Sequence, residues 1–247
     1  MGGNKSKNVV YTIGVPNTEE IGLSAILRSP EAQQQIIAPT VWGCSSYYSL
    51  FEKLSLKYPN KPFIGTRWTE NSDYQWLTYR KSFKMINKIS AFLKKYKLSP
   101  DPFFEKEYQK SLPLLGFLSY NRIEWLFLEI ACMNSGIVTI GLYENLDNFA
   151  LYGALTNLKY LFCPADKISS VIQLQKKGII GLEYIIAVDV VSNEIAQECM
   201  EIGIKMIHFE EMIHEETLAE TIAVDHNDPC FLSLTSGTTN NPKFCIC

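Results

Sequence analysis

The 247-residue sequence holds no apolar run near the ~18 residues that a membrane-spanning helix needs. It has no excess of positive charge. Its 23 Lys and Arg stand against 26 Asp and Glu, for a net charge of −3. The basic stripe of a nucleic-acid-binding surface is therefore missing. Paired cysteines are missing too. The seven cysteines, at positions 44, 132, 163, 199, 230, 245 and 247, show no zinc-type spacing, and the Cys245-Ile246-Cys247 step is too short to supply one. They read as reduced, buried or incidental thiols of a cytoplasmic protein. The first twenty residues are polar and include Gly14 and Pro16, unlike a secretory signal peptide. His208 and His214 have no third metal ligand near them in sequence, which leaves them as structural residues.

What is present suits a packed core. Hydrophobic residues make up 47% of the chain and aromatics 12%, far from the composition of a disordered protein. Residues 1–40 read as a tail or extended arm, broken by Pro16, Pro30 and Pro39. Its start, Met1-Gly2-Gly3-Asn4-Lys5-Ser6-Lys7, matches the N-myristoylation pattern at Gly2. One acyl chain and two lysines give only reversible attachment, so the expectation is peripheral membrane association.

From residue 41 onward the chain reads as a second region. A helix is expected from Tyr47 to Tyr58, then a hairpin of Phe63–Trp68 and Gln75–Tyr79. Another helix follows through Phe83, Ile86, Ile89, Phe92 and Leu93. Residues 99–111 read as a polar, proline-rich loop. Beyond it, strands and helices alternate: strands at 114–120, 137–143, 159–163, 184–190, 205–209 and 230–234, with helices between the first five of them. Gly136 suits the cap of the 123–134 helix. Alternation of this kind predicts an α/β fold with a mostly parallel sheet and crossover helices. The strands are continuous apolar runs, as burial on both faces requires. The pairs Glu210-Glu211 and Glu215-Glu216 read as a solvated helix face. Arg122 and Glu124 read as a local ion pair, and Trp125 and Tyr143 as packing residues.

The most chemical segment is Thr235-Ser236-Gly237-Thr238-Thr239-Asn240-Asn241-Pro242-Lys243. Glycine lets successive N–H groups converge, four hydroxyls can rotate toward an oxygen, and a lysine adds positive charge. Those are the parts of a phosphate-holding loop, and also of an ordinary polar turn. It is not a Walker loop, because Pro242-Lys243 stands where Gly-Lys-Ser/Thr is needed. In parallel sheets ligands sit at the C-terminal ends of strands, which is where this segment falls. The strand-prone Phe244–Cys247 could start a return strand.

Thr235–Lys243 resembles the phosphate loop of the acyl-adenylate-forming (AMP-binding) superfamily. Asn121-Arg122-Ile123-Glu124-Trp125 resembles the Asn-Arg-Pro-Glu-Trp segment of its long-chain fatty-acid–CoA ligases, and Leu142-Tyr143-Glu144-Asn145-Leu146 their Leu-Tyr-Asp-Thr-Leu. The resemblance spans roughly residues 40–243. It implies that residues 41–247 are a partial AMP-binding domain that stops after the phosphate loop. It implies ATP-dependent activation of a long-chain fatty acid through an acyl-adenylate, with ATP, Mg2+ and coenzyme A as cofactors. The site would be on the cytosolic face of a membrane such as the endoplasmic reticulum. Thr235, Ser236, Gly237, Thr238, Thr239 and Lys243 would then hold ATP phosphates. The sequence departs from the family at Asn240, Phe244 and Gly141. A Phe244 ring could block close backbone approach. The family's adenine motif, its Mg-ATP and ribose segment and its lid lysine have no counterpart, so the chain alone is expected not to turn over. Two other readings stay open: a non-catalytic nucleotide- or acyl-binding remnant, and an adenylate-former for aromatic or amino acids. The middle segments disfavour the latter.

Overall fold

The computed structural model describes residues 12–32, 42–67, 72–142, 146–222, 227–235 and 243–247. The chain divides into two compact units, Met1–Gly43 and Cys44–Cys247. In the first, β1 (Ile13–Gly14) and β2 (Leu27–Arg28) pair antiparallel. The Thr18 hydroxyl donates to the Val15 carbonyl at 2.7 Å and accepts from the Ile26 N–H at 2.9 Å, so it closes the ends of this small hairpin.

The second unit opens with α1 (Tyr47–Lys57), started by a Ser46–Ser49 capping box. A hairpin follows, β3 (Pro62–Thr66) with β4 (Gln75–Thr78). Thr78 then accepts from the Lys81 N–H and caps α2 (Tyr79–Tyr96). The next element, α3 (Pro102–Tyr108), replaces the loop expected at 99–111. The Asp101 carboxylate accepts from the Phe103 N–H at 2.9 Å, and Pro102 sits in the first turn, where its missing N–H costs nothing. Phe104 is wholly buried and anchors this helix.

The alternating half gives β5 (Leu114–Phe117), α4 (Ile123–Met133), β6 (Val138–Gly141) and α5 (Leu146–Leu155). It continues with β7 (Tyr160–Cys163), α6 (Ala165–Lys176), β8 (Tyr184–Ala187), α7 (Asn193–Glu201) and β9 (Lys205–His208). A short α8 (Phe209–Ile213) starts where the strand was expected to end. The last elements are β10 (Phe231–Thr235) and β11 (Lys243–Ile246).

Seven strands form one sheet in the order β11-β10-β6-β5-β7-β8-β9, all parallel except β11. The expected α/β class and mostly parallel sheet are what is found. Neighbouring strand residues go to opposite faces, as a period of two demands. Leu114, Leu161 and Ile185 join a core with Phe104, Phe149 and Val171. Leu115, Phe162 and Ile186 join another with Tyr48, Ile89 and Phe127. Each such side chain contributes about 1.5–3 kcal/mol by leaving water. The packing leaves no space at Gly116 in β5, where an added Cβ would lie 2.6 Å from Leu158 Cδ2 and 2.9 Å from Leu142 Cδ1. Gly136 ends α4 at φ +66°, as its sequence position suggested.

Candidate phosphate-loop site

β10 lies beside β6 in parallel register, with Phe231 opposite Thr139 and Leu232 opposite Ile140. The chain leaves β10 at the C-terminal edge of the sheet and returns antiparallel as β11. Thr235 and Lys243 are cross-strand partners, so the two ends of the candidate loop meet at this edge. Ser236, Gly237, Thr238, Thr239 and Asn240 lie outside the described residues, as do Gly2 and Tyr143. The segment thus joins two strands, as the strand-prone sequence of residues 244–247 allowed.

Phe244 lies opposite Leu234 in the ladder and packs on Phe103 at 5.5 Å and Tyr152 at 6.0 Å between ring centroids. The ring fills core between α3 and α5.

On the other face, a cavity of about 370 Å³ lies between α4 and strands β6 and β10. It is lined by Trp125, Glu129 and Thr139 and by Phe231–Leu234. The Trp125 ring stacks on Phe117 at 5.1 Å, and its Nε1–H donates to the Glu129 carboxylate at 3.0 Å. Burial raises the Glu129 carboxyl above its usual range, and the hydrogen bonds from Trp125 and Thr139 only partly oppose this. An added Cβ at Gly141 would sit 3.6 Å from Trp125.

Two strands away, Arg122 follows β5 at the same sheet edge. Its Nε donates to Glu124 at 2.9 Å, and its Nη2 to Asp189 at 3.0 Å and Glu124 at 3.3 Å. Asp189 also accepts from the Ala165 N–H at 3.2 Å. Arg122 and Asp189 together tie the ends of β5, β7 and β8. Burial works against the guanidinium charge, but the bonds to Glu124 and Asp189 outweigh it and hold its proton more tightly than usual. The local pair with Glu124 was legible in sequence; Asp189, 67 positions away, was not.

Two further residues escaped sequence reasoning. Asn87 of α2 exchanges bonds with both main-chain groups of Ala219, each at 2.9 Å, and donates to the Tyr48 hydroxyl at 2.7 Å. Burial pushes that phenol up to about 12. Asn134 accepts from Ile222 N–H at 2.8 Å and donates to the Glu220 carbonyl at 3.1 Å. Together they clamp a strap, residues 218–222, that returns the chain toward β10. Their signal was an asparagine set among apolar helix positions, where a buried amide must find partners. Among the described residues, no group of three or more His, Cys, Asp or Glu could hold a metal ion, and no helix is long and apolar enough to cross a membrane.

A family profile described as AMP-binding enzyme matches residues 51–247. The chain is 26% identical over 250 residues to long-chain-fatty-acid–CoA ligase 5 of Mus musculus, covering 97% of this chain and 35% of that protein. It is 25% identical over 256 residues to a peroxisomal acyl-CoA ligase of Penicillium roqueforti, covering 96% and 35%. The chain thus spans about a third of the length of these relatives. The adenylation domain of a carboxylate reductase from Mycobacterium chelonae shares the fold. Its TM-score is 0.63 at 13% identity, with 84% of this chain and 35% of that chain covered. With the profile covering most of the chain, this protein belongs to the AMP-binding enzyme family.

Proposed function

We propose that residues 41–247 are the phosphate-holding part of an enzyme that activates long-chain fatty acids as acyl-adenylates and passes them to coenzyme A. In this reading Thr235, Ser236, Gly237, Thr238, Thr239 and Lys243 hold the β- and γ-phosphates of ATP. The fatty-acid carboxylate attacks the α-phosphate, and charge grows on the departing pyrophosphate. Hydroxyl and amide donors fixed beforehand stabilise that charge without reorganising. The supporting observation is the path of the chain: the segment joins the C-terminal end of a parallel strand to an antiparallel return strand. That is where α/β sheets bind ligands.

The donors fit a polyphosphate. Residues 230–247 contain no Asp or Glu, so no carboxylate repels the anion from within the segment. Mg2+ would be bound here through phosphate oxygens, water and threonine hydroxyls, and when bound it neutralises phosphate charge. The Gly2 motif suits reversible attachment to the cytosolic face of a membrane such as the endoplasmic reticulum. Nothing in the 247 residues matches the family's adenine motif or lid lysine, so binding without turnover is expected of this chain. Titration of the 247-residue chain with Mg-ATP tests the reading. Lys243→Ala should weaken binding about tenfold, or ~1.4 kcal/mol. Equal binding by the two proteins would refute the assignment of Lys243. With palmitate added, pyrophosphate release should stay at the level of the Lys243→Ala control.

A further inference from the structure

We propose that the corner where α1, the β3–β4 hairpin and α2 meet docks on an anionic lipid bilayer. This corner belongs to the second unit alone and needs neither the Gly2 motif nor the phosphate loop. The net charge of −3 conceals an uneven distribution. Residues 44–97 carry 11 Lys and Arg against 3 Asp and Glu, and residues 98–247 carry 9 against 20. Whole-chain balance therefore missed a basic region. A groove of about 390 Å³ lies between α1, α2 and the strap. Arg80 and Lys84, one turn apart on α2, line it, and among the described residues neither has an ion-pair partner. The Glu52 carboxylate, also on its wall, accepts from the Thr221 hydroxyl at 2.9 Å. At the other end of α2 the cations are engaged by the strap and its approach: Lys94 donates to the Glu220 carbonyl at 2.7 Å and Lys95 to Glu215 at 3.2 Å.

Apolar side chains accompany these cations. Leu56 and Leu218 line the groove yet stay 77% and 63% exposed. The Tyr79 N–H donates to the Lys61 carbonyl at 3.1 Å and the Arg80 N–H to the Pro59 carbonyl at 3.2 Å, which seats the hairpin against the first turn of α2. Ile64 and Leu77 of the hairpin pack on the core, so alternation leaves Trp76 on its outer face, 59% exposed. The indole lies across Gly65, where an added Cβ would be 3.0 Å from the ring. Tyr74 sits beside it at 6.0 Å between centroids, with the Arg67 guanidinium 5.4 Å over the Tyr74 ring. Cations suit anionic headgroups, and Trp, Tyr and Leu suit the boundary beneath them. A single-stranded nucleic acid would use the cations and rings but offers Leu56 and Leu218 no apolar partner.

The test is sedimentation of the unacylated 247-residue chain with vesicles of phosphatidylcholine alone and of phosphatidylcholine mixed with phosphatidylserine. Binding is expected to the mixed vesicles only, and added salt should weaken it. The double variant Arg80→Glu, Lys84→Glu should bind more than about tenfold more weakly. Leu56→Asp should also weaken binding, and Lys177→Glu, at the end of α6, should leave it unchanged. Circular dichroism checks that each variant is folded. A blue shift of tryptophan emission on the mixed vesicles should disappear in Trp76→Phe. Equal binding to the uncharged vesicles, undiminished binding by the double variant, an equal loss in Lys177→Glu, or tighter binding to a single-stranded oligonucleotide than to the vesicles would overturn the bilayer site.

Discussion

The same sheet edge carries cationic chemistry at two places and treats it in opposite ways. At the ends of β5 and β8, the Arg122 guanidinium is half-buried and held by two carboxylates, Glu124 and Asp189. At the end of β10, Lys243 belongs to a segment without a single carboxylate and with four hydroxyls. A cation whose counter-ions are built in is committed to structure. A cation whose sequence neighbours offer hydroxyl and amide donors but no carboxylate suits an anion that comes and goes. Charge alone would not separate them; the supply of fixed acceptors does.

The comparison is broken most directly at Arg122. Arg122→Ala leaves Asp189 and Glu124 without their shared partner and unties the end of β5 from that of β8. Removing one member of a buried pair costs 3–5 kcal/mol, and the partial exposure of these carboxylates lowers the expectation to about 2–3 kcal/mol. Urea denaturation reads this directly. A loss under 0.5 kcal/mol would make the corner a surface decoration.

The next effect concerns the strap that links the two places. β9 ends on one side of the sheet and β10 lies five strands away, ~24 Å at 4.8 Å per strand. The chain crosses that gap over α2 and α4, held by Asn87 and Asn134. Asn134→Ala orphans the Ile222 N–H and leaves the Glu220 carbonyl to the Lys94 ammonium alone, and should cost about 1–1.5 kcal/mol. Cleavage within residues 218–222 by a nonspecific protease should also quicken in the variant. Unchanged cleavage would mean that other contacts seat the strap.

How these features read in sequence follows from their range. The sheet was legible because apolar runs and crossover helices carry a local period. The position of the candidate loop was legible because it follows such a run. Residues 101–111 misled because Pro102 and charged residues suggest a loop, although an Asp-Pro step is also a helix start, and the buried Phe104 was the signal in favour. Asp189 and the strap clamps were not legible at all. They join residues 67 to 132 positions apart, and single-chain patterning carries no such distances.

Glu129 offers a smaller effect, with a sign that can be worked out. It lies under β10, and burial raises its folded pKa above the unfolded one. The native state therefore binds the proton more tightly, and its stability falls as pH rises through the ordinary carboxylate range and on to the raised value. Glu129→Gln keeps an acceptor for Trp125 and removes that loss. Its stability relative to the parent should grow as pH rises from about 4 through the ordinary carboxylate range and beyond it. A difference that does not change with pH would mean Glu129 ionises without penalty, and the floor of β10 would be wetter than its burial indicates.

The smallest stability effect is the most informative one. If Lys243 were a structural cation like Arg122, Lys243→Ala would unfold the chain more easily. With no fixed counter-ion in its own segment, the loss should stay within about 0.5 kcal/mol, the usual range for a substitution away from buried networks. The diagnostic is the ratio of two measurements on the same pair of variants. Arg122→Ala should lose stability at unchanged ATP affinity, measured where the variant is still folded, and Lys243→Ala should do the reverse. Should both variants lose stability and keep affinity, the two places would be one kind of site, and the phosphate assignment would fall with the distinction between them.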